Sequence, residues 1–303
     1  MFWLTCKHFR RSCVKGETLT SCIPRRKIGF LKTHKCAGTS IQNVLLRYAL
    51  KHNLSIVLPQ REALNGVKLN DQWNLNHWDS AYDRIGNPVQ PLFYRNLIKN
   101  TVWEKVQLNY HMFVMHTRWN HREISRALND QKQNDVFYFS ILRDPVMTYR
   151  SYWDYFNLSN QYNKTLDQYA KTVIRKYLQY NNMTRRPPGY NQMLTDFGMY
   201  FNEMYKRNMS ETDKIMIRED IMTKINEIEQ TFDLIMLAEE NHYENGIILL
   251  KHALCWEFED IINVKRNTFT NNQMEGINAG PSQSNLSDES ISIVKSKQLS
   301  IVW

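Results

Sequence analysis

No run of about 20 apolar residues occurs in the 303-residue sequence, so no membrane-spanning helix is expected within it. Met1 to Arg11 is too short and too basic to form the apolar core of a signal peptide. No two cysteines stand as a CxxC pair. Cys6, Cys13, Cys22, Cys36 and Cys255 are scattered, which argues against a zinc site. Their odd number leaves at least one thiol unpaired within the chain; a Cys22–Cys255 bridge is open, but spacing does not decide it. The sequence also lacks an RNA-binding signature, zinc-finger spacing and any internal repeat. Nucleic acid is therefore not the expected partner.

The composition is that of a globular chain, 42% hydrophobic and 23% charged. Its length allows one large domain or two small ones, with a sizeable buried core. The net charge is +9, which favours anionic ligands such as phosphate and sulfate. The densest basic run is Arg25-Arg26-Lys27. Sequons begin at Asn53, Asn157, Asn163, Asn182, Asn208 and Asn285, a pattern that leans toward a lumenal protein.

Residues 1–26 read as a basic, poorly ordered lead-in. Residues 27–267 read as the main domain, and 268–303 as a polar loop and C-terminal segment. Ile28–Leu31 reads as a short buried strand. Thr39 to Leu50 follows as a helix, with Ile41, Val44, Leu45, Tyr48 and Ala49 on one face. Ser55–Leu58 and Met112–Met115 read as strands, and His121–Asn129 as a short helix. Residues 60–110 are irregular and too long for an ordinary connection. Val136–Leu142 is the clearest strand, followed by a helix from Pro145 to Phe156, with Pro suited to its first turn. Residues 165–235 read as mostly helical, Leu234–Leu237 as a last strand, Gly246–Ile262 as an amphipathic helix and 268–290 as loop. Strands separated by helices predict an α/β fold: a P-loop-type three-layer arrangement with a central, mostly parallel sheet flanked by helices.

Two strand-to-helix junctions carry the chemistry. The first runs Lys32-Thr33-His34-Lys35-Cys36-Ala37-Gly38-Thr39-Ser40. A helix N-terminus leaves N–H groups unpaired and carries partial positive charge, which suits a phosphate. Gly38 allows close approach, Thr39 and Ser40 supply hydroxyls, and Lys35 a compact cation. The order differs from GxxxxGK[ST], since the lysine precedes the glycine. A phosphate site without a metal-bound triphosphate is the better reading, and no metal is required. The second junction is Arg143-Asp144-Pro145 with Ser151 about two turns on. Arg143 leaves a buried strand where open α/β sheets place ligands, and its guanidinium suits a phosphate.

Together these segments resemble the nucleotide motifs of sulfotransferases that use 3′-phosphoadenosine 5′-phosphosulfate (PAPS): the first the 5′-phosphosulfate loop, the second the 3′-phosphate site. Several further segments are similar to the galactose-3-O-sulfotransferase family. They are Leu31 to Lys35 with Ala37-Gly38, Gln42-Asn43-Val44-Leu45, His52-Asn53-Leu54 with Leu58-Pro59, His116 with Arg118-Trp119, Ile141 to Pro145, and Leu237-Ala238-Glu239 with Leu249-Leu250-Lys251. The resemblance covers residues 22–267. It implies PAPS as co-substrate, a galactose-terminated glycolipid or glycan as acceptor, and transfer to the galactose 3-hydroxyl. It also implies residence on the lumenal face of the Golgi membrane through a single N-terminal anchor. This chain departs in three ways. Cys36 stands where the family usually has threonine, so a weaker phosphate contact is expected; no anchor precedes the domain; and the family usually continues past Trp303. An incomplete gene product is the expectation.

The resemblance and the chemistry assign Lys35 to the leaving phosphate oxygen and His116 to the acceptor proton. His34 is the second candidate base, ahead of His111 and His121. Arg118 holds either acceptor or nucleotide, and Trp73, Trp78 and Tyr82 either stack on the sugar or anchor their loop. Trp256 is expected in the core. The alternatives are a sulfotransferase for another glycan unit, a non-catalytic lumenal binder of glycan or nucleotide, and a phosphotransferase.

Overall fold

The computed structural model describes residues 22–57, 110–114, 116–117, 119–130, 135–176, 187–199, 210–262 and 286–295. Its strands are β1 (Ile28–Leu31), β2 (Ile56–Val57), β3 (Met112–Phe113), β4 (Phe137–Leu142) and β5 (Leu234–Leu237). They form a five-stranded sheet in the order β2-β3-β1-β4-β5, and each described pairing is parallel. Parallel neighbours need crossover connections. Here α1 (Gly38–Lys51) follows β1, α2 (His121–Ala127) precedes β4, and α3 (Pro145–Tyr155) follows β4. This is the α/β layout that the alternation of apolar runs and helical periodicity predicts.

β1 and β4 are buried along their whole length, as expected of parallel strands covered on both faces. Their register pairs Phe30 with Phe139, and the two rings stack at 4.7 Å. Ser140 is fully buried; its hydroxyl donates to the Leu31 carbonyl at 2.9 Å. Left unpaired, such a hydroxyl would cost about 1–3 kcal/mol. Gly29 faces Tyr138 across this register, and a Cβ there would meet the Tyr138 ring at 2.3 Å. The bare backbone is what lets that ring cross the sheet.

The strand order decides where a ligand goes. From β1 the chain moves toward β2 on one side; from β4 it moves to β5 on the other. The direction of winding therefore reverses between β1 and β4. Open α/β sheets bind ligands at such a point, beyond the carboxyl ends of the strands.

The remaining helices are α4 (Leu158–Tyr162), α5 (Leu166–Tyr169) running into a π-helical turn (Ala170–Ile174), α6 (Gln192–Asp196), α7 (Glu211–Thr231), α8 (Glu240–Leu254), α9 (Phe258–Ile261) and α10 (Asp288–Lys295). A second apolar cluster joins Val146, Tyr149 and Trp153 of α3 to Leu166, Tyr169, Ile174, Tyr190 and Val294. Among the described residues no helix is long and apolar enough to cross a membrane. Asn53, Asn157 and Asn163, which open three of the sequons, are exposed at helix ends.

Two expectations need correction. The amphipathic run read as one helix over 246–262 is α8, which starts at Glu240, followed by a break and the short α9. The break is Cys255, left-handed with φ 56°. It turns Phe258 outward, 61% exposed, instead of keeping it in line with Leu254. Trp256, expected in this helix, sits in the break and is buried. In the C-terminal segment, Asp288–Ser290 begins α10 rather than continuing a loop. Buried Ser290 and Val294 face inward, and the Ser287 hydroxyl donates to Asp167 at 2.7 Å. Polar residues on the docked face hid its periodicity.

Of the lead-in, residues 22–26 are tied to the core. Cys22 bridges Cys255 with Cα atoms 5.6 Å apart, Arg25 N–H donates to the Leu254 carbonyl at 2.9 Å, and Trp256 Nε1 donates to the Arg25 carbonyl at 3.1 Å. The bridge closes a loop of 233 residues. Long loops lose the most unfolded-state entropy on closure, so Cys22→Ser should cost about 2–5 kcal/mol. The check is the urea midpoint of the variant against the parent protein. An unchanged midpoint would mean that the bridge adds nothing to stability.

Candidate functional site

The loop between β1 and α1 bends through two left-handed residues that are not glycine, Lys35 (φ 61°) and Ala37 (φ 60°). Each costs of order 1–3 kcal/mol, and such conformations gather at functional sites. Tight contacts hold the bend. The buried Thr33 hydroxyl donates to the Ile141 carbonyl of β4. Lys32 Nζ donates to Gln42 Oε1 at 2.7 Å, and Gln42 Nε2 donates to the Val114 carbonyl at 2.8 Å. Loop, helix α1 and the end of β3 are thereby joined. Gly38 lies against the Lys32 stem; a Cβ there would meet Lys32 Cγ at 2.8 Å.

α1 and α3 begin differently. Ala37 caps α1 without a side-chain hydrogen bond, so the first N–H groups of α1 keep their capacity to bind an anion. Ser40 N–H turns back, to the Ala37 carbonyl at 3.1 Å. Thr39 is half-buried and Ser40 buried beside it. By contrast, α3 is closed by Asp144, whose carboxylate accepts from Met147 N–H at 3.0 Å. Asp144 N–H in turn donates to Glu239 at 2.7 Å. At this second junction the cation Arg143, rather than the helix end, is the group suited to an anion.

The two junctions meet. Arg143 Nη1 donates to the Lys35 carbonyl at 3.2 Å. Lys35 Nζ sits over the Tyr155 ring at 3.6 Å, a cation–π contact. Thr148, Ser151 and Tyr155 share one face of α3 by their spacing. Thr148 Oγ1 lies 3.9 Å from Cys36 Sγ and Tyr155 underlies Lys35, so that face looks onto the loop with Ser151 between them.

Burial, followed by the charge of Lys35, pushes Lys32 down to about 8. Burial, followed by Arg143, pushes Lys35 down to about 8 as well. Three crowded cations are an electrostatic strain that an anion would relieve.

Cys36, which stands in the loop where a hydroxyl is expected, lies inside it. Its side chain is fully buried, with Sγ 3.2 Å from the His34 carbonyl, and burial pushes the thiol up to about 12. Its Sγ packs inward beside Thr148 Oγ1, 3.9 Å away.

His116 lies three residues beyond β3, at the same edge of the sheet. Its Nδ1 is 2.7 Å from the Lys32 carbonyl. A carbonyl only accepts, so Nδ1 carries the proton and Nε2 keeps its lone pair in the neutral ring. Burial first, then His34 and Lys32, push its pKa well below the usual imidazole value, although the Lys32 carbonyl acts the other way. His34 stacks on His116 with centroids 4.0 Å apart and planes 16° apart. His111 bonds Ser55 at 2.8 Å just before β3, at the opposite edge. His121 packs on Tyr138 near the start of β4. Arg118, Trp73, Trp78 and Tyr82 lie outside the described residues.

Sequence reasoning missed Asp196 and Gln192 of α6. The Asp196 carboxylate accepts from His34 N–H at 2.8 Å and faces His34 Nδ1 at 2.7 Å, and Gln192 Nε2 donates to it at 3.0 Å. Tyr155 and Thr148 were also missed, and Gln42 stood only within a family segment, without a role. The contacts of Asp196 with His34, Tyr155 with Lys35 and Thr148 with Cys36 join residues far apart in the chain, which no local pattern announces.

The winding of the sheet and the bent loop after its first strand define a P-loop-type α/β protein. Within that class, a galactose-3-O-sulfotransferase profile matches residues 3–287, and the chain belongs to that family. It is 25% identical to galactose-3-O-sulfotransferase 3 of Mus musculus over 88% of this chain and 52% of that protein. It is 28% identical to galactose-3-O-sulfotransferase 2 of Mus musculus over 80% and 53%. With galactosylceramide sulfotransferase of Homo sapiens the identity is 26% over 81% and 49%. The chain thus spans about half the length of the curated relatives it matches.

Proposed function

We propose that this protein transfers the sulfonate group of PAPS to the 3-hydroxyl of a galactose unit on a glycolipid or glycan. The observation that carries this reading is the meeting of the two junctions: Arg143 at the end of β4 bonds the Lys35 carbonyl at the end of β1, 3.2 Å away. One doubly phosphorylated adenosine then spans both. The uncapped start of α1, with Ala37, Gly38, Thr39 and Ser40, takes the 5′-phosphosulfate. Arg143 and Ser151 take the 3′-phosphate. Lys32, Thr33 and His34 shape the loop from behind, by the contacts already described.

In the reaction the sulfur–oxygen bond to the 5′-phosphate breaks as a bond from sulfur to the galactose oxygen forms. Lys35 meets the charge developing on the leaving phosphate oxygen. His116 Nε2 takes the acceptor's proton. The products are the sulfate ester and 3′-phosphoadenosine 5′-phosphate. The main domain spans 27–267 in this reading. The Cys22–Cys255 bridge favours an oxidising compartment, in keeping with the lumenal face of the Golgi membrane.

Transfer of labelled sulfonate from PAPS to galactosyl acceptors, against glucuronosyl and hexosaminyl controls, tests the reading. Binding of PAPS with no transfer to any acceptor would replace it with a non-catalytic role. Arg143→Ala should weaken 3′-phosphoadenosine 5′-phosphate by about 10–100-fold, the loss of a charge-assisted contact of roughly 1.5–3 kcal/mol. It should leave adenosine 5′-phosphate nearly unchanged. Calorimetric titration of both nucleotides reads the difference, and equal weakening would remove Arg143 from the 3′-phosphate.

A further inference from the structure

We propose that Asp196 is a positioning residue for the transfer reaction: its buried carboxylate fixes both the loop backbone and the tautomer of His34, and so sets the ring against which His116 is stacked. The proposal rests on the reaction given above and adds a residue from a distant helix. Asp196 is 2% exposed. One carboxylate oxygen accepts the His34 backbone N–H at 2.8 Å; the other faces His34 Nδ1 at 2.7 Å and accepts Gln192 Nε2 at 3.0 Å. Two groups face His34 Nδ1: the Asp196 carboxylate at 2.7 Å and Gln192 Nε2 at 3.4 Å. An ionised carboxylate accepts only, and the shorter contact makes His34 Nδ1 the donor, so the neutral ring keeps its lone pair on Nε2. The same logic applies to His116, whose Nδ1 meets the Lys32 carbonyl. The two stacked rings therefore share one tautomer, each fixed by an oxygen on a different element.

Asp196→Asn separates the two roles, because the amide keeps the shape. Its oxygen still accepts His34 N–H, but its NH2 then faces Nδ1, and the Gln192 amide must turn so that its Oε1 rather than its Nε2 meets that NH2. That reverses the ring: Nδ1 becomes the acceptor and Nε2 carries the proton. The expected result is an unchanged thermal midpoint and 3′-phosphoadenosine 5′-phosphate affinity within about 3-fold. The kcat should fall by about 10-fold or more, the lower end of what losing the outer partner of a metal-bound histidine costs, because Asp196 acts on His116 only through the stacked His34 ring. Imidazole ¹⁵N spectra at about pH 8.5, where ordinary histidines are neutral, should show His34 Nδ1 protonated in the parent and unprotonated in the variant. His34→Gln supplies the assignment. A parent spectrum with an unprotonated His34 Nδ1 overturns the proposal, and this arm needs no variant to fold. Parent-like kcat in a folded Asp196→Asn overturns it too. If the parent protein transfers no sulfonate, the proposed reaction fails, while the parent spectrum still decides whether Asp196 sets the tautomer.

Discussion

Replacing His116 with alanine is expected to lower kcat for sulfonate transfer by about 10²–10⁴-fold, the usual contribution of a positioned general base. Affinity for 3′-phosphoadenosine 5′-phosphate should change little, because the groups proposed to hold the two phosphates lie in the loop, at the start of α1 and at the end of β4. Two features fit His116 to act as the base. The Lys32 carbonyl holds its proton on Nδ1, so Nε2 is the basic atom. Burial and the neighbouring His34 and Lys32 hold its pKa well below the ordinary range, so the ring is neutral at pH 7. The sign for the pH profile follows. A base works when unprotonated, so kcat/KM should hold as pH falls through 6.5 and decline only below it. An acid limb centred at 6.5 or above would assign the base to a different histidine. Retained turnover in His116→Ala, with wild-type nucleotide binding, would also remove it from the mechanism.

What the residues announce in advance, and what they hide, divides along contact range. β1 and β4 were legible as nearly continuous apolar runs, because strands covered on both faces need not alternate, and β5 as a short apolar run although its burial alternates. α1 was legible from its 3.6-residue stripe, and Arg143 and Lys35 from their places at strand ends. The site's supports were not legible. Asp196 lies 162 residues from His34, in a five-residue helix too short to show a stripe. Tyr155 reads as one aromatic among many until Lys35 is placed over its ring. Cys255 broke a helix whose apolar spacing runs on unbroken through Phe258 and Ile261. Periodicity cannot register a single left-handed residue, and the bridge to Cys22 was undecided by spacing. The cap at Asp144 was readable in principle, since Asp before Pro at the first helical turn is a start signal. Its consequence, that the second junction must use a side chain rather than a helix end, needed the observed hydrogen bond to Met147.

Lys35 carries the other large expected effect. Removing its ammonium in Lys35→Ala should cost about 10²–10³-fold in kcat, roughly 3–4 kcal/mol of transition-state stabilisation at one oxyanion. The alkaline limb of the pH profile should belong to it. Burial and Arg143 hold Lys35 down to about 8, and only the protonated form can meet the leaving oxygen. Activity is therefore present below that value and lost as pH rises through it. The profile of kcat/KM reports the free enzyme, so its limb should lie near 8. In the profile of kcat, bound phosphates supply counter-charge, and the limb should move to higher pH. Lys32 is held down to about 8 as well, so one variant must separate the two. Lys35→Arg keeps a charge that does not titrate in this range. It should be slower, since a planar fork replaces a compact ammonium in a tight loop, but its kcat/KM should lose the limb near 8. If the limb stays where it was, the group that titrates is Lys32, which donates to Gln42 beneath the loop, and the charge on Lys35 is not what limits the reaction.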